Sequence, residues 1–312
     1  MSQIRLLDRY ERDVTELRVS VTSRCNLKCF FCHKEWDSCE GQTSPREFIR
    51  IIEVAKSCGF RRLKITGGEP LLRGDLPRII RESFAMLEEV SITTNGTLLS
   101  RLAPELKRAG LSRVNVNLPT IVGEKYRKIC GADMLEEVIG GIKAAKDQGF
   151  PTKVNMVILK GVNEDEVGAM IDFASSLGAV LQLIELQPLP SGGNVFSRYH
   201  VDLSPLEKGL MARAVSVTPT HGGQRNRYAI RHNGSAATVE VVRPTGNPSF
   251  CQRCSKLRVT SDGKLKPCLL RSDNLVDIVG PMRSGAAGKG LVDLFRQASA
   301  NREPYWKDGD RG

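Results

Sequence analysis

The chain has 312 residues, 40% of them hydrophobic, enough for one large α/β domain or a large domain with a small companion. Forty-six Lys and Arg stand against 35 Asp and Glu, a net +11 that favours anionic partners without choosing among phosphate, nucleotide and nucleic acid. No run approaches the roughly 18 apolar residues of a spanning helix and the N-terminus has no apolar signal core, so no membrane contact and a cytoplasmic location are expected.

In chain order, short β-branched runs alternate with longer amphipathic segments from about residue 17 to 187. LRVSVT, RLKITG, EVSITTN, RVNVNL, KVNMVIL and LQLIEL are six strand candidates, and their alternation with helices predicts a parallel sheet, a barrel or most of one. SPREFIRIIEVAKSCG predicts a helix capped by Ser44, with Pro45 in its first position and Gly59 at its end.

The alternation within the strands is unusual for a closed α/β core, whose strands are ordinarily apolar on both faces. One parity carries Leu17, Val19, Val21, Leu63, Ile65, Val90, Ile92, Val114, Val116, Val154 and Met156, a surface for helices to cover. The other carries Arg18, Ser20, Thr22, Arg62, Lys64, Thr66, Ser91, Thr93, Asn95, Asn115, Asn117, Lys153 and Asn155. Buried polar groups without partners cost a few kcal/mol each, so this second face implies a lumen that holds a polar anionic ligand; an open sheet with one solvated face is the alternative. Gln182 fits the inward set, but its neighbours leave the parity of the sixth strand open.

After Pro188 and Pro190, LPSGGN reads as a linker and the rhythm stops. A helix opened by a capping box over Ser204 to Glu207 is expected next, then strands at YAIRH and ATVEVV and a hairpin, LRVTSDGKLKPCL, turning at Asp262-Gly263. A helix around Leu291 to Ala300 follows. RSGAAGKG lacks the spacing of a phosphate loop and reads as linker.

Six of the nine cysteines form two triads: Cys25, Cys29 and Cys32 directly after the first strand, and Cys251, Cys254 and Cys268 near the other end. Structural zinc takes four closed ligands, and iron–sulfur clusters are ordinarily held by four cysteines. Three thiolates leave one metal site open, where a small molecule can bind and accept an electron. A zinc site completed by His33, or a zinc ribbon at the second triad, is the alternative. Cys39, Cys58 and Cys130 read as packed or incidental thiols, and His200, His221 and His232 show no ligand spacing.

CNLKCFFC resembles the C-x3-C-x2-C signature of radical S-adenosylmethionine enzymes, and TGGEPLLR, Thr66 to Arg73, resembles their glycine-rich second motif. The C-x2-C-x13-C spacing of the second triad is similar to that of the MoaA family of GTP 3′,8-cyclases, which act in molybdenum-cofactor biosynthesis; the likeness covers nearly the whole chain and is closest to archaeal members. It implies a partial (β/α)6 TIM-like barrel over residues 1–190 with a [4Fe-4S] cluster on Cys25, Cys29 and Cys32. Residues 191–312 would form a small α+β domain with an auxiliary [4Fe-4S] cluster on Cys251, Cys254 and Cys268 that closes the barrel. S-adenosylmethionine contacts fall on Gly68, Glu69, Thr93 and Asn117, the two glycines of the motif letting backbone approach the ligand. GTP contacts fall on Arg18, Arg62, Lys64, Lys153, Lys256 and Arg258, with Arg18 and Lys64 also closest to the chemistry, and the open iron of the second cluster would take the guanine.

The implied reaction makes a 5′-deoxyadenosyl radical that removes hydrogen from ribose C3′ of GTP, after which C3′ closes on guanine C8. Its implied partners are an electron donor of flavodoxin or ferredoxin type and a downstream cyclic pyranopterin phosphate synthase, with no nucleic acid; a homodimer is allowed. Three features depart from the family pattern: Lys256 where many members have Arg, Gln182 in place of a basic residue, and a tail, KDGDRG, without paired glycines. Two rivals share parts of the pattern, a radical peptide-maturing enzyme with an auxiliary cluster and a basic zinc-ribbon protein that binds nucleic acid.

Overall fold

Each of the six expected strand runs forms a strand, and each is followed by helix: β1 (Glu16–Ser20), α1 (Pro45–Ser57), β2 (Arg62–Thr66), α2 (Leu76–Phe84), β3 (Glu89–Thr94), α3 (Leu99–Arg108), β4 (Arg113–Asn117), α4 (Gly123–Cys130), α5 (Leu135–Asp147), β5 (Thr152–Ile158), α6 (Val167–Ser176) and β6 (Val180–Glu185). The computed structural model describes residues 5–34, 43–188, 194–220 and 222–307; Cys39, His221 and the tail from residue 308 lie outside them. All six strands run parallel in sequence order, the sheet of a partial TIM-like barrel. Ser44 caps α1 with the full reciprocal box to Glu47, Pro45 opens it, and Gly59 follows at φ 90°.

The apolar parity packs under the helices: Leu17, Leu63, Ile65, Val90, Ile92, Val114, Val116, Val154 and Met156 are all at most 1% exposed. Burying each such side chain contributes about 1.5–3 kcal/mol, which fixes the register of the polar parity on the opposite face.

The later part of the chain comprises α7 (Val195–Tyr199), α8 (Ser204–Ala212), β7 (Ala214–Thr220), β8 (Arg225–His232), β9 (Ser235–Val242), α9 (Pro248–Gln252), β10 (Lys256–Val259), β11 (Lys264–Lys266), β12 (Val276–Asp277), α10 (Val279–Arg283) and α11 (Lys289–Ala300). Its strands join the same sheet at both margins, in the order β12-β11-β10-β1-β2-β3-β4-β5-β6-β9-β8-β7, with β10 parallel to β1 and β9 parallel to β6. The expected domain boundary at 190 lies outside the described residues, and strands on either side of it share one sheet.

Two local expectations are corrected. Ser204 is the first residue of α8 and makes no cap; the carboxylate of Asp202 instead accepts from its N–H at 2.8 Å and its hydroxyl at 2.5 Å. β7 was not expected, because an exposed margin strand containing Pro219, with Val215 73% exposed, lacks the half-buried alternation by which strands are recognised. The Asp262-Gly263 hairpin forms as expected, with Gly263 at φ 83°. Among the described residues, no helix is long and apolar enough to cross a membrane.

Candidate active site

The polar parity encloses a cavity of about 370 Å³. Every barrel strand contributes: Arg18 from β1, Lys64 and Thr66 from β2, Thr93 from β3, Asn115 and Asn117 from β4, Lys153 and Asn155 from β5, Gln182 from β6. Much of the inward set read from the alternation therefore lines one chamber, although Ser20, Thr22, Arg62, Ser91 and Asn95 do not, and the parity of β6 is settled by Gln182, whose amide donates to Asn155 at 3.0 Å. Cys32 lines this chamber together with Cys251, Cys254 and Cys268, so residues of both triads face one space.

The first triad occupies the loop that leaves β1. Glycine is required beneath it: a Cβ on Gly68 would lie 2.0 Å from the Arg24 carbonyl oxygen. Gly68 N–H donates to Thr22 O and Glu69 N–H to Arg24 O, each at 2.7 Å, so the glycine motif clamps the cysteine loop. Arg73, which ends that motif, stacks over Phe48 and donates to Val21 O at 2.6 Å.

Glu69 is 1% exposed and braces the end of β3, accepting from Leu71 N (3.0 Å), Thr94 Oγ1 (2.7 Å) and Asn95 N (2.7 Å). These fill three of its roughly four acceptor positions. Burial lifts its carboxyl to about 7 against those hydrogen bonds.

The second triad sits where the later strands meet the barrel. Burial alone would raise the Cys254 thiol, but the charges of Lys256 and Arg302 bring it down to about 7; Cys251 is raised by burial. Asp8, wholly buried, binds Arg12 at 2.7 Å and Arg302 at 2.8 Å, and the far ends of these arginines donate to the carbonyls of Cys251 (2.7 Å) and Cys254. Trp306 N–H points at Cys251 Sγ, 3.5 Å away.

Cys29 acts electrostatically on Cys25, and Cys254 and Cys268 on Cys251, so thiols within each triad are neighbours, the all-sulfur kind of donor an iron–sulfur cluster takes. All eight described cysteines are free of disulfides. Among the described residues no group of three or more His, Cys, Asp and Glu is arranged to hold a metal ion. Cys58 and Cys130 are packed thiols, and the hydrogen bond the Cys29 thiol makes to Cys130, with burial, raises Cys29.

Of the remaining expected contacts, Thr93, Asn117, Lys153, Lys256 and Arg258 line the chamber. Arg62 does not: it lies with Glu16, Glu89 and Arg113 in a separate small pocket of about 120 Å³, because it starts β2 and falls at the far end of the sheet from the cysteine loop. Burial pushes Lys64 well below its ordinary value and Lys153 to about 8. Sequence reasoning missed Arg12, Arg225 and Arg302 in the wall, and Glu240 behind it, bonded to Lys153 at 2.5 Å. Arg225 opens β8 and Glu240 lies in β9, strands of mixed pattern, and nothing local marks either residue as inward.

The chain matches the radical SAM superfamily over residues 19–174 and Molybdenum Cofactor Synthesis C over residues 179–308. Proteins described as probable GTP 3′,8-cyclases match it nearly end to end: 44% identity with that of Pyrococcus abyssi, covering 96% of this chain and 99% of the relative. The Pyrococcus horikoshii protein is 45% identical, covering 96% and 98%. The chain belongs to the GTP 3′,8-cyclase family of radical SAM proteins. As a member of the radical SAM superfamily it uses S-adenosylmethionine and a [4Fe-4S] cluster. Among solved structures, Streptococcus suis SuiB bound to precursor peptide SuiA superposes with a TM-score of 0.67 at 17% identity, covering 91% of this cyclase-family chain and 64% of SuiB. Native anSMEcpe with bound AdoMet gives 0.56, also at 17% identity, over 91% and 81%. At that identity the likeness is one of fold.

Proposed function

We propose that this chain is a GTP 3′,8-cyclase, joining ribose C3′ of GTP to guanine C8 at the start of molybdenum-cofactor biosynthesis. The observation that carries this reading is a buried, cation-lined chamber onto which cysteines of both triads open. Cys25, Cys29 and Cys32 would hold one [4Fe-4S] cluster and Cys251, Cys254 and Cys268 a second. When bound, the first cluster would supply the one-electron chemistry by which S-adenosylmethionine becomes a hydrogen-abstracting agent.

The chain's own residues bind, orient and exclude water. Thr93 and Asn117 face the chamber as polar contacts for S-adenosylmethionine; Gly68 fixes the loop, and Glu69 has one acceptor position left for the cofactor's amine. Arg18, Lys64, Lys153, Lys256 and Arg258 give the chamber the charge a triphosphate needs. Arg18 is held by Glu16 at 3.0 Å and Lys153 by Glu240, so these cations are oriented before ligand arrives. Enclosure of the nucleotide between the two triads brings C3′ toward the radical source and keeps water away from it. Lys256 retains the charge but not the fork of arginine. A cytoplasmic location, a small electron-transfer protein as donor, hand-over of product to a cyclic pyranopterin phosphate synthase, and a homodimer belong to the same reading.

The test is anaerobic purification followed by incubation with reductant, S-adenosylmethionine and GTP. Brown protein with about eight irons per chain, and 5′-deoxyadenosine formed together with a cyclised nucleotide, are expected. Formation of 5′-deoxyadenosine with no GTP-derived product would overturn the reading.

A further inference from the structure

The nucleotide reading leaves one buried cation without a role. Arg225 is the first residue of β8, outside the six barrel strands, yet its side chain spans β9 to reach β6, where Nη1 donates to Gln182 Oε1. It lines the chamber with a side chain only 8% exposed. Arginine can only donate, so this contact fixes the direction of a series of amides: Gln182 Nε2 donates to Asn155 Oδ1 at 3.0 Å, and Asn155 Nδ2 to Asn117 Oδ1 at 3.0 Å. The guanidinium is thus anchored to a braced wall.

Its charge is not balanced. Glu240 bonds Lys153 at 2.5 Å and Arg227 at 2.8 Å and stands 3.8 Å from Arg225, so one carboxylate faces three cations. Arg227 is 40% exposed and screened by water, whereas Lys153 and Arg225 are buried. Nε of Arg225 is buried and has no hydrogen-bond partner among the described residues. The groups that act on it electrostatically include Arg18, and it acts in turn on Lys64 and Lys256. Glu16 is the other carboxylate that acts on it, so the guanidinium stands in a wall where cations outnumber carboxylates, a setting that favours a bound anion.

We propose that Arg225 binds the phosphate chain of the nucleotide, a substrate contact contributed by the later strands. It supplies a charge beside Gln182, which itself has none. This rests on the nucleotide reading and adds a residue to it.

The experiment is anaerobic calorimetry on the reconstituted holoenzyme with GTP and with guanosine, for wild type, Arg225→Gln and Arg225→Lys, with iron content and thermal melting as controls. Arg225→Gln is expected to weaken GTP by about ten- to hundredfold while guanosine stays within about twofold, and Arg225→Lys to recover part of the loss. Unchanged GTP affinity, or equal loss of GTP and guanosine, would overturn the assignment. Should Arg225→Gln fail to fold, Gln182→Met removes the anchor and keeps the charge; a loss confined to GTP is expected, and an unchanged GTP affinity overturns the assignment. Wild-type protein that binds no GTP would instead overturn the nucleotide reading, and this contact with it.

Discussion

Replacing Gly68 by alanine tests the clamp under the cysteine loop. The new Cβ would lie 2.0 Å from Arg24 O, 2.5 Å from Arg24 C and 2.9 Å from Ser23 O, all backbone atoms that cannot swing aside. Relief requires the loop to retreat by about 1 Å or more, to reach ordinary contact distance. That movement breaks the Gly68 N–H to Thr22 O and Glu69 N–H to Arg24 O bonds, both 2.7 Å long. At about 0.5–1.5 kcal/mol each, their loss biases the loop against its present form by about 1–3 kcal/mol, or roughly 5- to 150-fold. Iron content after anaerobic reconstitution should fall from about eight toward about four, the second cluster remaining, and 5′-deoxyadenosine formation should fall with it. Gly74→Ala is the control, because nothing lies within 4 Å of its added Cβ. Full iron and undiminished 5′-deoxyadenosine in Gly68→Ala, or equal damage in Gly74→Ala, would refute the reasoning.

Asp8→Asn leaves Arg12 and Arg302 buried without their carboxylate, at a cost of about 3–5 kcal/mol, and loosens the carbonyls of Cys251 and Cys254; denaturant titration and an iron count should show lower stability and loss of the second cluster's iron. Burial sets Lys153 at about 8 in the free chamber, below the 10.5 of an unfolded lysine, and a bound polyphosphate would raise it again. GTP affinity should therefore fall as pH rises through about 8 and upward, with proton uptake on binding, and calorimetry across that range should find Lys153→Arg flatter, since arginine does not titrate there. Arg62→Gln should leave GTP affinity within about twofold in the same assay, because Arg62 lies outside the chamber.

The chamber was legible because a polar parity repeated on five strands needs water or ligand against it, and Leu17, Leu63, Val90, Val114 and Val154 on the opposite parity fix it in place. Arg62 shares that parity yet misses the chamber, since alternation gives the face of a residue and not its height along the strand. The glycine motif was recognised but its mechanical part was not, because the close approach is to Arg24, a chain neighbour only in space. Arg225, Glu240, Arg12 and Arg302 were invisible for a related reason: Arg225 meets Gln182, Glu240 meets Lys153, Arg302 meets Asp8 and Arg12 meets the Cys251 carbonyl, all pairings between distant parts of the chain that leave no local spacing. The parallel seating of β9 on β6 and β10 on β1 is likewise long-range and carries no short signal.

That seating has a consequence for how the molecule is made. During synthesis β1 to β6 leave the ribosome first, with the outward hydrogen-bonding groups of β1 and β6 still bare, and their covers, β10 and β9, are translated only in the last third of the chain. Bare strand margins invite pairing with other nascent chains. Maturation is therefore obliged to wait for β9 and β10, and a chain cut short before Ser235 would be not half an enzyme but an adhesive fragment.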